Sequence, residues 1–237
     1  DPAQTDDDIP TKQFGIGLYT GQSGGGNSVV CGFQPDLIWG KMRSGSQTGI
    51  IIDSSRGQEI LFTAENYAAQ TSNGPFISSY NTDGFTFGSS GSNPNDNAKT
   101  YVAWCWRANG GTTSSNSDGS ITSTVQANQP GGFSIITYTG TGSNATIGHG
   151  LSAKPDFFTI KNRDGGTGMA WTTYHSSLGA TKYVELDADE IQQLLDLAAE
   201  ESFISGEKIN LAEFTEDVVL EALKESSDSS NEDEFSL

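Results

Sequence analysis

The sequence predicts a mainly β protein: tandem β-sandwich or jelly-roll-like modules, the second cut short, followed by a helical acidic appendage. Three observations predict it. Gly 29 against Pro 7, aromatics at 10% and few Lys or Glu in the first three quarters favour strands joined by many turns. Next, one cassette is written twice. Tyr19-Thr20-Gly21, Gly32-Phe33-Gln34-Pro35-Asp36-Leu37-Ile38-Trp39-Gly40-Lys41-Met42-Arg43 and Asp53-Ser54-Ser55-Arg56-Gly57 return as Tyr138-Thr139-Gly140, Lys154-Pro155-Asp156-Phe157-Phe158-Thr159-Ile160-Lys161-Asn162-Arg163 and His175-Ser176-Ser177-Leu178-Gly179. The offset drifts from 119 at the tyrosine to 120 at the proline and 122 at the serine pair, as small loop indels make it do in a duplicated fold. Third, the hydrophobic period changes from two to 3.6 beyond residue 186.

Residues 1–12 carry Asp6-Asp7-Asp8 between Pro2 and Pro10, an extended acidic arm; a calcium loop would need a Gly turn and a distal Glu. The first module is expected over 13–110. Phe14 to Tyr19 alternates apolar with small residues as a strand does, and Val29-Val30-Cys31 follows the glycine turn 21–26. Pro35 cannot donate to a ladder, so it belongs at the mouth of the strand Leu37 to Met42. Ile50-Ile51-Ile52 is a β-branched run that fits a strand buried on both faces, and Ile60-Leu61-Phe62 is another short strand. Ser78 to Gly88 reads as a hairpin in which Asp83-Gly84 supplies the positive φ of a tight turn. Thr100 to Arg107 is the longest run of β-formers. It sets Tyr101, Ala103 and Cys105 against Val102, Trp104 and Trp106, as a central strand would.

A Gly/Ser/Thr linker is expected at 111–120 and a partial second module at 121–186, with strands at 121–125, 133–138, 157–161, 169–174 and 183–186. The counterpart of 58–108 is missing. A helical segment is expected at 187–225. Asp187 or Asp189 caps a helix with Ile191, Leu194, Leu195 and Ala198 on one stripe, Gly206 breaks it, and Leu211, Phe214, Val218 and Ala222 form a second stripe. Residues 226–237 are expected to be a disordered acidic tail.

Charge narrows the partners. Residues 1–185 hold 14 acids and 10 bases, and 186–237 hold 16 acids and 2 bases, within a total of −18. A chain so acidic offers no footprint for phosphate, so nucleic acid is not expected; a partner of the C-terminal part should be basic. No apolar run reaches 18 residues and no secretory leader is visible, so membrane insertion is not expected. Asp1 is not a natural start, which suggests a fragment or a processed chain. Cys31 and Cys105 read as buried thiols that could meet across a sandwich.

Candidate chemistry is thin. His175-Ser176-Ser177 suggests a hydrolase, yet the first copy has Asp53 at that place, and turn chemistry explains both. Asp36 and Asp156 could be a glycosidase pair; a carboxylate accepting backbone N–H groups at a strand entry explains them better. The two histidines have no partners at ligand spacing, so no metal or other cofactor is expected. A sugar-stacking platform could draw on Trp39, Tyr80, Trp171 and Tyr174. Asn93, Asn95 and Asp96 form the loop favoured for ligand or calcium. Ile191, Leu194, Leu195, Phe214 and Val218 form the apolar faces expected to assemble with another subunit.

The Tyr-Thr-Gly turn, Gly-Phe-x-Pro-Asp-Leu-Ile-Trp, Asp-Ser-x-Arg-Gly, Asp-Gly-Phe-Thr-Phe-Gly and Thr-Tyr-Val-Ala-Trp-Cys-Trp, taken together, resemble the repeated β module of virion structural proteins in tailed phages of marine bacteria. The resemblance covers about residues 11–186. It implies a structural or adhesive particle protein, located in the virion: a tail fibre or a capsid decoration, with other virion proteins and itself as partners, a trimer among the candidates. It carries no catalytic residues. Two rivals follow: a module binding host-surface glycans, and, further off, an enzyme degrading host polysaccharide. The shortened second copy and the helical tail depart from the pattern.

Overall fold

The computed structural model describes residues 9–57, 59–63, 67–71, 75–89, 94–165 and 170–186. The acidic arm up to residue 8, Asn93 and the expected helices and tail from 187 on lie outside the described residues.

The described chain is mainly β, and every strand pairing in it is antiparallel. A short 3₁₀ turn, Pro10–Lys12, leads into β1 (Phe14–Thr20), β2 (Ser28–Val30), β3 (Leu37–Met42), β4 (Ile50–Asp53), β5 (Ile60–Phe62), β6 (Ile77–Asn81), β7 (Gly84–Phe87) and β8 (Thr100–Trp106). These form a five-stranded sheet, β1-β8-β3-β4-β5, and a three-stranded sheet, β2-β7-β6. Their facing sides make one core, in which Ile38, Ile50, Ile52, Ala103 and Cys105 meet Val29, Ile77, Phe85 and Phe87. Successive strand residues point to opposite faces, so Tyr101, Ala103 and Cys105 of β8 enter this core while Trp104 and Trp106 point the other way. β8 is central, between β1 and β3, and the Ile50–Ile52 run is buried on both faces, both as the sequence predicts.

Two expectations change. The hairpin β6–β7 turns at Thr82-Asp83, and Gly84 is the first residue of β7, without positive φ. Its glycine serves close approach instead: a Cβ there would lie 1.9 Å from the Val29 carbonyl oxygen of β2, so any side chain would push the two strands apart. The stretch expected as a plain linker contains β9 (Ser114–Asn116).

β9 pairs with β10 (Ser123–Asn128), which pairs with β11 (Phe133–Thr137). β12 (Phe157–Ile160), β13 (Trp171–His175) and β14 (Val184–Leu186) form the last sheet, in that order. The two copies of the cassette build the same hairpin. Leu37 stands opposite Asp53, Ile38 opposite Ile52 and Trp39 opposite Ile51; Phe157 stands opposite His175, Phe158 opposite Tyr174 and Thr159 opposite Thr173. Ser54 N–H donates to the Asp36 carbonyl at 2.8 Å, and Ser176 N–H to the Asp156 carbonyl at 2.7 Å.

The second copy docks on the outer face of the five-stranded sheet. Trp171 is buried against Ile51 and Leu61, and its indole N–H donates to the Phe62 carbonyl at 2.6 Å. Arg163 adds a two-pronged pair to Glu59 at 2.7 and 3.0 Å, which solvent weakens. Trp106 stacks on Phe133 at 6.2 Å.

Candidate functional site

Most of the polar side chains that the sequence singles out hold backbone in place. Asp36 is wholly buried. Its Oδ1 accepts from Ser54 Oγ at 2.7 Å and Gly111 N at 2.8 Å, and its Oδ2 from Ala108 N at 2.7 Å and Gly110 N at 3.0 Å. The backbone can present three N–H groups to one carboxylate because Gly110 and Gly111 both take positive φ, at 60° and 80°. Gln126 on β10 closes the same turn from the other side. Its Oε1 accepts from Asn109 N at 3.0 Å and Gly111 N at 2.8 Å, and its Nε2 donates to Ser55 Oγ at 2.7 Å. The sequence gives little warning of this: Gln126 is a lone amide in the strand run Val125-Gln126-Ala127.

Asp53 accepts from Ser55 N and Arg56 N, both at 2.9 Å, and pairs with the Arg56 guanidinium at 2.5 Å. At the matching place His175 Nδ1 accepts from Ser177 N at 3.1 Å. The His-Ser-Ser triplet is therefore the second copy of an Asp turn, with imidazole as the acceptor. His149 does likewise, taking Leu151 N at 3.1 Å. Among the described residues no group of three or more His, Cys, Asp or Glu is placed to hold a metal, and no helix is long and apolar enough to cross a membrane.

Of the residues proposed for a sugar platform, Trp39 packs against the cluster that holds Trp171, while Tyr80 lies in the core between the sheets and Tyr174 in the last sheet. Trp39 meets Trp104 edge-on, at 5.8 Å and 65°, so the pair presents no flat surface. Trp171 is buried against the first repeat and has no open face to offer. Tyr80 packs against the core between the sheets. Its hydroxyl is buried without a hydrogen-bond partner, and burial first, then the charges of Asp53 and Asp36, push it well above the usual phenol range. Tyr174 stacks on Phe158 at 4.9 Å, in the last sheet.

The loop favoured for a ligand is likewise engaged. Asn95 is buried; its Oδ1 accepts from Asn27 Nδ2 at 2.7 Å and Gln22 N at 3.1 Å, and its Nδ2 donates to Gly24 O at 2.8 Å. It staples the 21–26 turn to the chain entering β8. Asp96 Oδ2 accepts from Gln47 at 2.7 Å, and Asp96 N–H donates to the Tyr101 hydroxyl at 3.1 Å. Cys31 and Cys105 are free, buried thiols, and the Cys31 thiol donates to the Phe33 carbonyl at 3.3 Å. The neighbouring Cys31 thiol and burial raise Cys105 far above the usual range.

Among the described residues, two features besides the exposed apolar side chains of β1 are open to a partner. A polar groove of about 400 Å³ runs over β9 and β10, with Asn109, Asn116, Asp118 and Gln129 above an apolar floor of Val125 and Leu151. The second feature is β12, an edge strand with exposed aromatic side chains.

A family model described as a domain of unknown function, DUF7483, matches residues 9–221. No curated protein and no solved structure matches the chain.

Proposed function

We propose that this chain, which belongs to the DUF7483 family, is a non-enzymatic structural protein of a phage particle, a tail fibre or a capsid decoration. In this reading it is built from two related β modules, the second cut short, and assembles through exposed sheet edges with itself or with other virion proteins. One observation carries it. In the first copy Asp36, together with Gln126 of β10, seals a junction, and at one matching position of the two copies Asp53 and His175 each make a turn. Exposed apolar side chains on β1 and β12, namely Ile16, Leu18, Phe157 and Phe158, are surfaces of the kind that subunits cover. Mass spectrometry of purified particles should find the chain at structural copy number, and the isolated protein should sediment as an oligomer. A strict monomer missing from particles contradicts the proposal.

A glycan-binding role has its own support in the groove. Amide side chains beside an apolar floor suit a sugar, whose faces are apolar and whose edge is polar. Asn116→Ala should abolish binding on a glycan array; an array with no signal at millimolar sugar removes this second reading.

A further inference from the structure

In the first copy of the cassette β3 is paired on both edges. β4 takes one, and β8 takes the other, from Leu37 opposite Trp106 to Met42 opposite Tyr101. Directly after β8 the chain turns, and the N–H groups of Ala108, Gly110 and Gly111 close on the Asp36 carboxylate. Strand and turn together cover the hairpin.

In the second copy the hairpin keeps its register and keeps Pro155-Asp156, but among the described residues no strand or turn covers it. Among the described residues β12 pairs only with β13. Phe157, Phe158 and Ile160 stand 56%, 41% and 38% exposed, and Asp156 is exposed as well. By register Phe158 corresponds to Ile38, which lies in the core of the first copy. β11, the sequence counterpart of β1, belongs to a different sheet. No second Thr-Tyr-Val-Ala-Trp-Cys-Trp occurs anywhere in the sequence. Edge strands are usually blunted by lysine, proline or a bulge; Phe157–Ile160 carries none of these.

We propose that the open edge of β12 accepts an extended segment of another polypeptide. That segment alternates large apolar residues and ends in a glycine-containing turn whose backbone N–H groups bond the Asp156 carboxylate. The first copy supplies the template for the occupant: an antiparallel strand, an aromatic residue opposite Phe157 where Trp106 stands opposite Leu37, then successive N–H donors within five residues. Main-chain hydrogen bonds hold such an added strand, and alternate side chains select it. A second folded copy cannot donate its own β8, which is held between β1 and β3. The inference deepens the assembly reading and rests on it for the donor's being a particle component.

The edge can be tested with a synthetic peptide spanning residues 99–112 of this chain, added to the full protein. Hydrogen exchange of residues 157–160 should slow on addition, with one peptide bound per chain, and a scrambled peptide should leave it unchanged. Asp156→Asn, at an exposed position, should weaken binding about tenfold or more, since hydrogen bonds to a charged acceptor are the strong ones. Thr159→Pro should abolish it, with circular dichroism checking that the variant folds. No binding, or equal binding by Asp156→Asn, overturns the proposal. So does protection, without peptide, of the amides in residues 157–160 that point away from β13: in a monomer it would put this chain's residues 187–237 on the edge, and in a dimer a second copy. Peptide binding by a protein missing from particles would overturn the assembly reading alone; no binding by a protein present on particles would overturn this inference alone.

Discussion

Asp36 and Asp156 follow a proline at the same point of the same hairpin, and each passes its backbone carbonyl to the N–H of a serine across the turn. Their carboxylates live in different worlds. Asp36 is sealed in the protein with four donors around it, whereas Asp156 faces solvent. The difference teaches which part of the motif is local. Proline, turn residues and alternation suffice to set strand and register, because the same pairing forms in both places. Burial of the carboxylate depends on a segment some 70 residues later, the end of β8 and the glycine turn, and among the described residues the second copy has no equivalent.

The largest effect that would sharpen this comparison is a pair of substitutions. Asp36→Ala takes the acceptor from the Ala108 and Gly110 N–H groups, while Gly111 N–H keeps Gln126 Oε1, and should cost about 2–4 kcal/mol, read as a fall in the urea midpoint. Asp156→Ala should stay within about 0.5 kcal/mol. Equal costs would break the comparison. The apolar side chains of the two copies should split in the same way: Phe85→Ala, in the closed core, should cost about 3–5 kcal/mol, and Phe158→Ala in the isolated chain less than about 1 kcal/mol.

A gentler probe is alkaline pH. Tyr19, Tyr80 and Tyr101 all belong to the closed first repeat, and burial raises each phenol above its ordinary value of 10.0. The fold therefore holds protons that the unfolded chain releases near pH 10. Their contribution to stability is complete below that pH and is lost as the pH rises through the higher folded values. Denaturation midpoints should stay level up to about pH 10 and then fall, with phenolate absorbance rising together with unfolding. Full phenolate absorbance in a protein still folded would contradict this closure.

The β elements were legible in the sequence because their signals are local. Ile50-Ile51-Ile52 reads as a doubly buried strand, the alternation of Thr100 to Trp106 as a central one, and Pro35 as a strand mouth. The repeat itself made one hairpin a guide to the other. The rest depends on distant contacts. Gly84 looks like a turn glycine until β2 is laid against it. Asn95 looks like a ligand loop until its amide is found stapling the 21–26 turn. Trp171 looks available for a sugar until it is found under β4 and β5. Gln126 carried no signal, because an amide within a strand run looks the same whether it faces solvent or closes a buried junction.

The central claim is that one hairpin is built twice and closed once. Residue-resolved hydrogen exchange on the free chain tests it most directly, comparing the backbone of Leu37–Met42 with that of Phe157–Ile160. The account predicts that β3 amides are protected along both edges, close to the global stability, while those of β12 pointing away from β13 exchange as freely as a loop. Equal protection of the two strands in the free monomer would contradict it.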